Sequence, residues 1–154
     1  MPWETIFSIA NVWPLPFWLL LALGPRSELT AKIMLFGAIL PLALVYAVLL
    51  PLIMTGVVDP VGPKGGTLNM TQLSGVMALF DSKGGATIGW IHYLAFDLFV
   101  GLWLARNADR HGVARWAQVP LLFFVLMSGP LGLALYLLVR FTSKNRADTA
   151  VTPS

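Results

Sequence analysis

Asp97 stands in the middle of a long apolar run, within Trp90-Ile91-His92-Tyr93-Leu94-Ala95-Phe96-Asp97-Leu98. An acid at bilayer depth costs roughly 3 kcal/mol on insertion scales, so such residues turn inward and mark sites of chemistry or polar packing. Desolvation disfavours a carboxylate's charge, and a carboxyl that keeps its proton near neutral pH can act as a general acid. The competing role is a packing hydrogen bond to Asn11, Tyr46, Ser128 or Tyr136 on another segment. His92 lies five residues earlier. On a helix the two side chains are about 140° apart around the axis and about 7.5 Å apart along it, so they border one cavity only from different sides. His92 is equally a base and an interfacial packing histidine. His111 falls in an arginine-rich connection, where solvent or headgroup contact is its ordinary role.

The same run carries two helical stripes. Gly89, Tyr93, Asp97 and Gly101 recur every fourth residue, a face of small and polar groups suited to close helix packing. His92, Phe96, Phe99 and Trp103 form an adjacent aromatic face that lines either a groove for a flat conjugated or isoprenoid ligand or plain lipid. Trp90, Tyr93, Phe96, Phe99 and Trp103, with Asn11 and Tyr136 from other segments, are therefore the candidate substrate-binding residues. Ser128, Gly132, Tyr136 and Arg140 make a further stripe, with a kink expected at Gly129-Pro130.

The elements that must position these groups are set by composition. Of 154 residues, 57% are hydrophobic and 11% charged, whereas soluble domains carry roughly 25% charge. Mean hydropathy is +0.77. Apolar runs over residues 6–23, 33–54, 86–105 and 116–141 each approach the ~20 residues that cross a bilayer, and backbone satisfaction in lipid makes them helices. The expected fold is an all-α integral membrane bundle of four transmembrane helices, one domain over residues 1–145, with a disordered tail at 146–154. Leu73, Val76, Met77 and Phe80 recur at i, i+3, i+4 and i+7, which predicts a short amphipathic interfacial helix over about 70–80. Ser27 is placed to cap the second run, with Glu28 in its first turn. Pro14 and Pro16 predict a break near Asn11-Val12-Trp13-Pro14 in the first run. That run is read as retained and not as a signal peptide, since Glu4 replaces a basic n-region and no A-x-A-like site follows.

Composition also excludes chemistry. The absence of cysteine removes thiolate catalysis, iron–sulfur clusters and cysteine zinc sites, and two histidines cannot build a histidine-box di-iron centre. No metal or cofactor is expected. The loop Gly62-Pro63-Lys64-Gly65-Gly66 lacks Walker spacing. A net charge of +3 points to a membrane partner with anionic headgroups, not to nucleic acid. With four spans, Lys64, Lys83, Arg140, Lys144 and Arg146 share one side and Arg26, Lys32, Arg106, Arg110 and Arg115 the other. Against that balance the positive-inside rule assigns no orientation. Discounting the two lysines of the longer loop tilts the count toward both termini lying outside the cytoplasm.

The segment from His92 through Gly101 matches the pattern H-Y-L-x-F-D-L-F-x-G, and Gly129 through Gly132 matches G-P-x-G. Together with the early Pro-x-Pro element and the span layout, they resemble the small membrane proteins named for the plant abscisic-acid-deficient-four protein, which is required for neoxanthin synthesis. The resemblance covers most of the chain. The chain is shorter than the plant proteins and lacks a transit-peptide-like start, which implies a bacterial member, multi-pass in the inner membrane. By resemblance the function is carotenoid or isoprenoid chemistry in the bilayer, as a cofactor-independent, isomerase-like enzyme. The plant-type step opens a 5,6-epoxide to an allene and needs an acid and a base, roles that Asp97 and His92 would fill. The alternative is a non-catalytic protein that binds a carotenoid or lipid, or supports a partner enzyme. Small-residue faces leave room for a homo-oligomer.

Overall fold

A computed structural model describes residues 1–59 and 69–150, with side chains as far as residue 141. The loop around Gly62-Pro63 and the last four residues of the tail lie outside the described residues. Every element among the described residues is helical. In chain order these are α1 (Trp3–Val12), α2 (Leu15–Leu23), α3 (Glu28–Lys32), a π-helical stretch (Ile33–Ile39), α4 (Leu40–Met54), α5 (Leu73–Phe80), α6 (Lys83–Arg110), α7 (Arg115–Met127) and α8 (Gly129–Ala150).

Among the described residues three stretches are long and apolar enough to cross a bilayer: Trp3–Leu23, Glu28–Met54 and Lys83–Arg110. The expectation of four spans is corrected here. The run over 116–141 divides into two shorter apolar helices, Arg115–Met127 and Gly129–Phe141. The cause is local. Ser128 takes an extended conformation (φ −164°, ψ 99°) that ends α7. Gly129 follows, and Pro130 brings no N–H to continue the ladder. Thirteen residues rise only about 20 Å, short of the ~30 Å hydrocarbon core.

The other punctuation follows the same chemistry. The last amide bond of α1 runs from Trp13 N to Ile9 O at 2.9 Å, and Pro14 then breaks the first span at the expected place. Ser27 caps α3, its Oγ accepting from Thr30 N at 3.1 Å. Pro41 can neither donate to the carbonyl of Gly37 nor sit against it. The turn before it widens into the π-helical stretch, which carries α3 into α4 without interruption. The short helix predicted at 70–80 is α5. Its stripe of Leu73, Met77 and Phe80 is exposed, and the residue it buries is Leu79.

The chain clusters into two compact units. The first comprises Met1–Leu15 and Leu35–Ala95. Its core is Trp3, Leu49, Ile53, Leu79 and Ile88, with Ile6, Tyr46, Leu50 and Val58 packed against it. Asp59 accepts from the Gly84 amide at the start of α6, and Lys83 pairs with Glu4 at 2.8 Å. The second comprises Pro16–Met34 and Phe96–Ser154. Its buried residues include Trp18, Leu21, Leu98, Leu102, Leu104, Val125 and Tyr136. Gly101 lets α6 approach the Trp18 ring and Leu21, and Gly132 lets α8 approach the backbone of Val125 on α7.

Candidate functional site

In the first unit α1 and α4 leave a cleft of about 630 Å³ between them. Ile6, Ile9, Ala10 and Trp13 line one wall, while Leu42, Val45 and Val48 are on the other, with Ile91 of α6 beside them. Every lining side chain is apolar, which suits a hydrocarbon ligand, and the volume lies within the range of small-molecule sites. The α1 wall ends at the Pro14 break and the α4 wall begins at Pro41. The groove expected from the sequence is on the aromatic face of α6, and this cleft lies elsewhere. Pro14 and Pro41, which interrupt the regular helix at one end of each wall, are the sequence signal that could have found it.

The same unit gathers several of the anticipated residues. Trp90 donates from Nε1 to Asn11 Oδ1 at 2.7 Å. Its ring stacks on Tyr93 at 5.2 Å and 14°, and Phe7 lies 6.1 Å away on the α1 side. This aromatic and polar clip fixes α1 to α6 one residue beyond Ala10 of the cleft wall. His92 is exposed and its ring lies 5.1 Å from that of Tyr46, the neighbour of Val45 in the opposite wall. The two rings are tilted by 46°.

Asp97 belongs to the second unit and is only 5% exposed. A β-carbon added to Gly129 would overlap Asp97 Oδ1. The carboxyl therefore lies directly on the first residue of α8, at the helix end whose amides have no intrahelical acceptor. Of the aromatic face, Phe96 (58%) and Phe99 (50%) are exposed. Trp103 packs edge-on against Tyr136 at 5.9 Å and 84°. Tyr136 is fully buried and donates to Asn107 Oδ1 at 2.6 Å, where Arg140 also donates at 3.2 Å.

Residues 5–136 match the ABA DEFICIENT 4-like family. The chain belongs to that family. No curated protein and no solved structure matches it. Both segments that carried the resemblance, 92–101 and 129–132, lie inside the matched residues, and the fold brings one against the other where Asp97 meets Gly129. For this family member, the pairing of an intramembrane acid with a G-P-x-G turn is thus a physical contact.

A polar cluster, in what the sequence presents as connecting loop, completes the second unit. Arg26 is held by Leu21 O, by Gln118 Oε1 at 3.0 Å and by Asp109 at 3.3 Å. Gln118 is fully buried and donates to Asp109 Oδ1 and Val113 O, both at 2.8 Å. Burial lowers the Arg26 pKa from its ordinary value, Asp109 raises it and Arg115 lowers it further. Among the described residues no group of three or more His, Cys, Asp or Glu is placed to hold a metal ion.

Proposed function

We propose that this membrane protein takes an extended isoprenoid, a carotenoid in the first instance, from the bilayer into the α1–α4 cleft and isomerises it without a cofactor. The observation that carries the reading is the wholly apolar cleft of about 630 Å³ in a chain of the ABA DEFICIENT 4-like family. A linear polyene has only surface to offer, and such a wall binds it by area, at about 25 cal/mol per Å² of apolar contact. The chemistry proposed is an epoxide opening. A proton goes to the epoxide oxygen as its C–O bond breaks, a base removes a proton from the neighbouring polyene carbon, and an allene and a hydroxyl result with no change in formula. Asp97, buried on α6 in the second unit and not among the residues that line the cleft, is the proposed proton donor on the strength of the family resemblance. His92, exposed on α6 in the first unit, is the proposed base.

A second reading, a binder or accessory subunit without activity, draws on one observation: the side chains that line the cleft include no titratable group. Expression in a host that makes a defined set of epoxidised and non-epoxidised carotenoids separates the two. A new pigment of unchanged mass, lost in Asp97→Asn and His92→Ala, supports the isomerase. An unchanged pigment that purifies with the protein supports the binder, and a colourless protein with unchanged pigments contradicts both.

A further inference from the structure

The contacts of α7 and α8 trace a path that four spans would not give. α7 begins beside the end of α6, where Gln118 bonds Asp109 and Val113. It ends at Ser128, and the next residue lies on Asp97, half-way along α6. From there α8 runs back in the direction of α6, since Tyr136 and Arg140 both reach Asn107, ten residues further along α6. Gly132 against the Val125 backbone packs the two arms side by side at the turn. The apolar part of each arm, Arg115–Met127 and Gly129–Phe141, rises about 20 Å, enough to reach the middle of a bilayer and return.

We infer that α7 and α8 form a re-entrant hairpin that enters and leaves on the Arg110 side, with Asp97 as the positioning residue that meets its tip at mid-bilayer depth. Broken backbone at that depth requires protein groups to satisfy it. An acid facing the start of a half-helix supplies an acceptor for the amides left free there. Pro130 reduces the amides in need of a partner by one, and Gly129 is small enough to admit the carboxyl.

The hairpin changes the charge count. Arg140, Lys144 and Arg146 join Arg26, Lys32, Arg106, Arg110 and Arg115, so eight of the ten Lys and Arg residues fall on one side and only Lys64 and Lys83 on the other. The positive-inside rule, balanced for four spans, now places the Arg110 side and the C-terminus in the cytoplasm. That face is the interaction surface for anionic phospholipid headgroups.

The chain has no cysteine, so single substitutions report topology directly. In intact cells a membrane-impermeant maleimide should label Gln72→Cys. Ala114→Cys and Ser154→Cys should react only after permeabilisation. Labelling of Ser154→Cys together with Gln72→Cys, opposite to Ala114→Cys, would overturn the hairpin. Joint labelling of Ala114→Cys and Ser154→Cys in intact cells would keep the hairpin and overturn the assigned orientation. Neither outcome depends on the carotenoid reading.

Discussion

Replacing Gly129 with alanine tests the Asp97 seat at single-atom scale. The added β-carbon would overlap Asp97 Oδ1, and the carboxyl is only 5% exposed, with no open side to swing into. Overpacking a buried site costs about 1–3 kcal/mol, and displacing an acid from a helix start costs about 1 kcal/mol more. Gly129→Ala should therefore destabilise by about 2–4 kcal/mol, a fall in Tm of about 5–15 °C for a chain of this size. Tryptophan fluorescence during thermal unfolding in a mild detergent reads this directly. The decisive comparison is the double-mutant cycle with Asp97→Ala. Once the carboxyl is gone the extra methyl meets no atom closer than 3.7 Å, an ordinary van der Waals contact. Gly129→Ala should then be neutral, or stabilising by up to about 1 kcal/mol through the restricted unfolded chain. A coupling of about 2 kcal/mol or more is expected. If the two substitutions add within about 0.5 kcal/mol, the carboxyl does not sit on Gly129, and the assigned hairpin tip is refuted with it.

Three further outcomes follow from the geometry. Gln118→Leu leaves Asp109, Val113 O and Arg26 each short of a partner in a buried setting, and should cost about 2–4 kcal/mol, read as a fall in Tm. Trp90→Phe keeps the stack on Tyr93 but removes the bond to Asn11. It should cost about 0.5–1.5 kcal/mol, and Asn11→Ala should add little in that background. Val45→Trp fills the cleft from a wall that is 40% exposed. The melting temperature should stay within about 4 °C of the parent, and retention of any long polyene should fall at least tenfold; retained pigment at parental level would show that the ligand sits elsewhere.

Three spans are legible in the sequence because bilayer physics acts on composition. Runs expected at 6–23, 33–54 and 86–105 lie inside Trp3–Leu23, Glu28–Met54 and Lys83–Arg110. Pro14 announces its break and Ser27 its cap, since both act through their own backbone neighbourhood. The reversal at Ser128 is legible only as a kink. Gly129-Pro130 says that the helix stops, whereas the return of the chain depends on contacts of Gly132 with Val125 and of Tyr136 and Arg140 with Asn107. Asp97 is singled out by the cost of an acid in hydrocarbon, which needs no partner to be read. Its seat is not readable, because nothing in the sequence ties residue 97 to residue 129. The cleft is hidden for a different reason. α4 is apolar all round, so periodicity does not say which of its faces parts from α1.

That this family member handles a long apolar polyene through the α1–α4 cleft is tested most directly by purifying the protein from a carotenoid-producing host and measuring the visible absorption that travels with it. About one polyene per chain is expected, or a converted pigment in the extracted membranes, with the loss of either in Val45→Trp. A colourless protein from membranes whose pigments are unchanged, or a Val45→Trp variant as coloured as its parent, would contradict that claim.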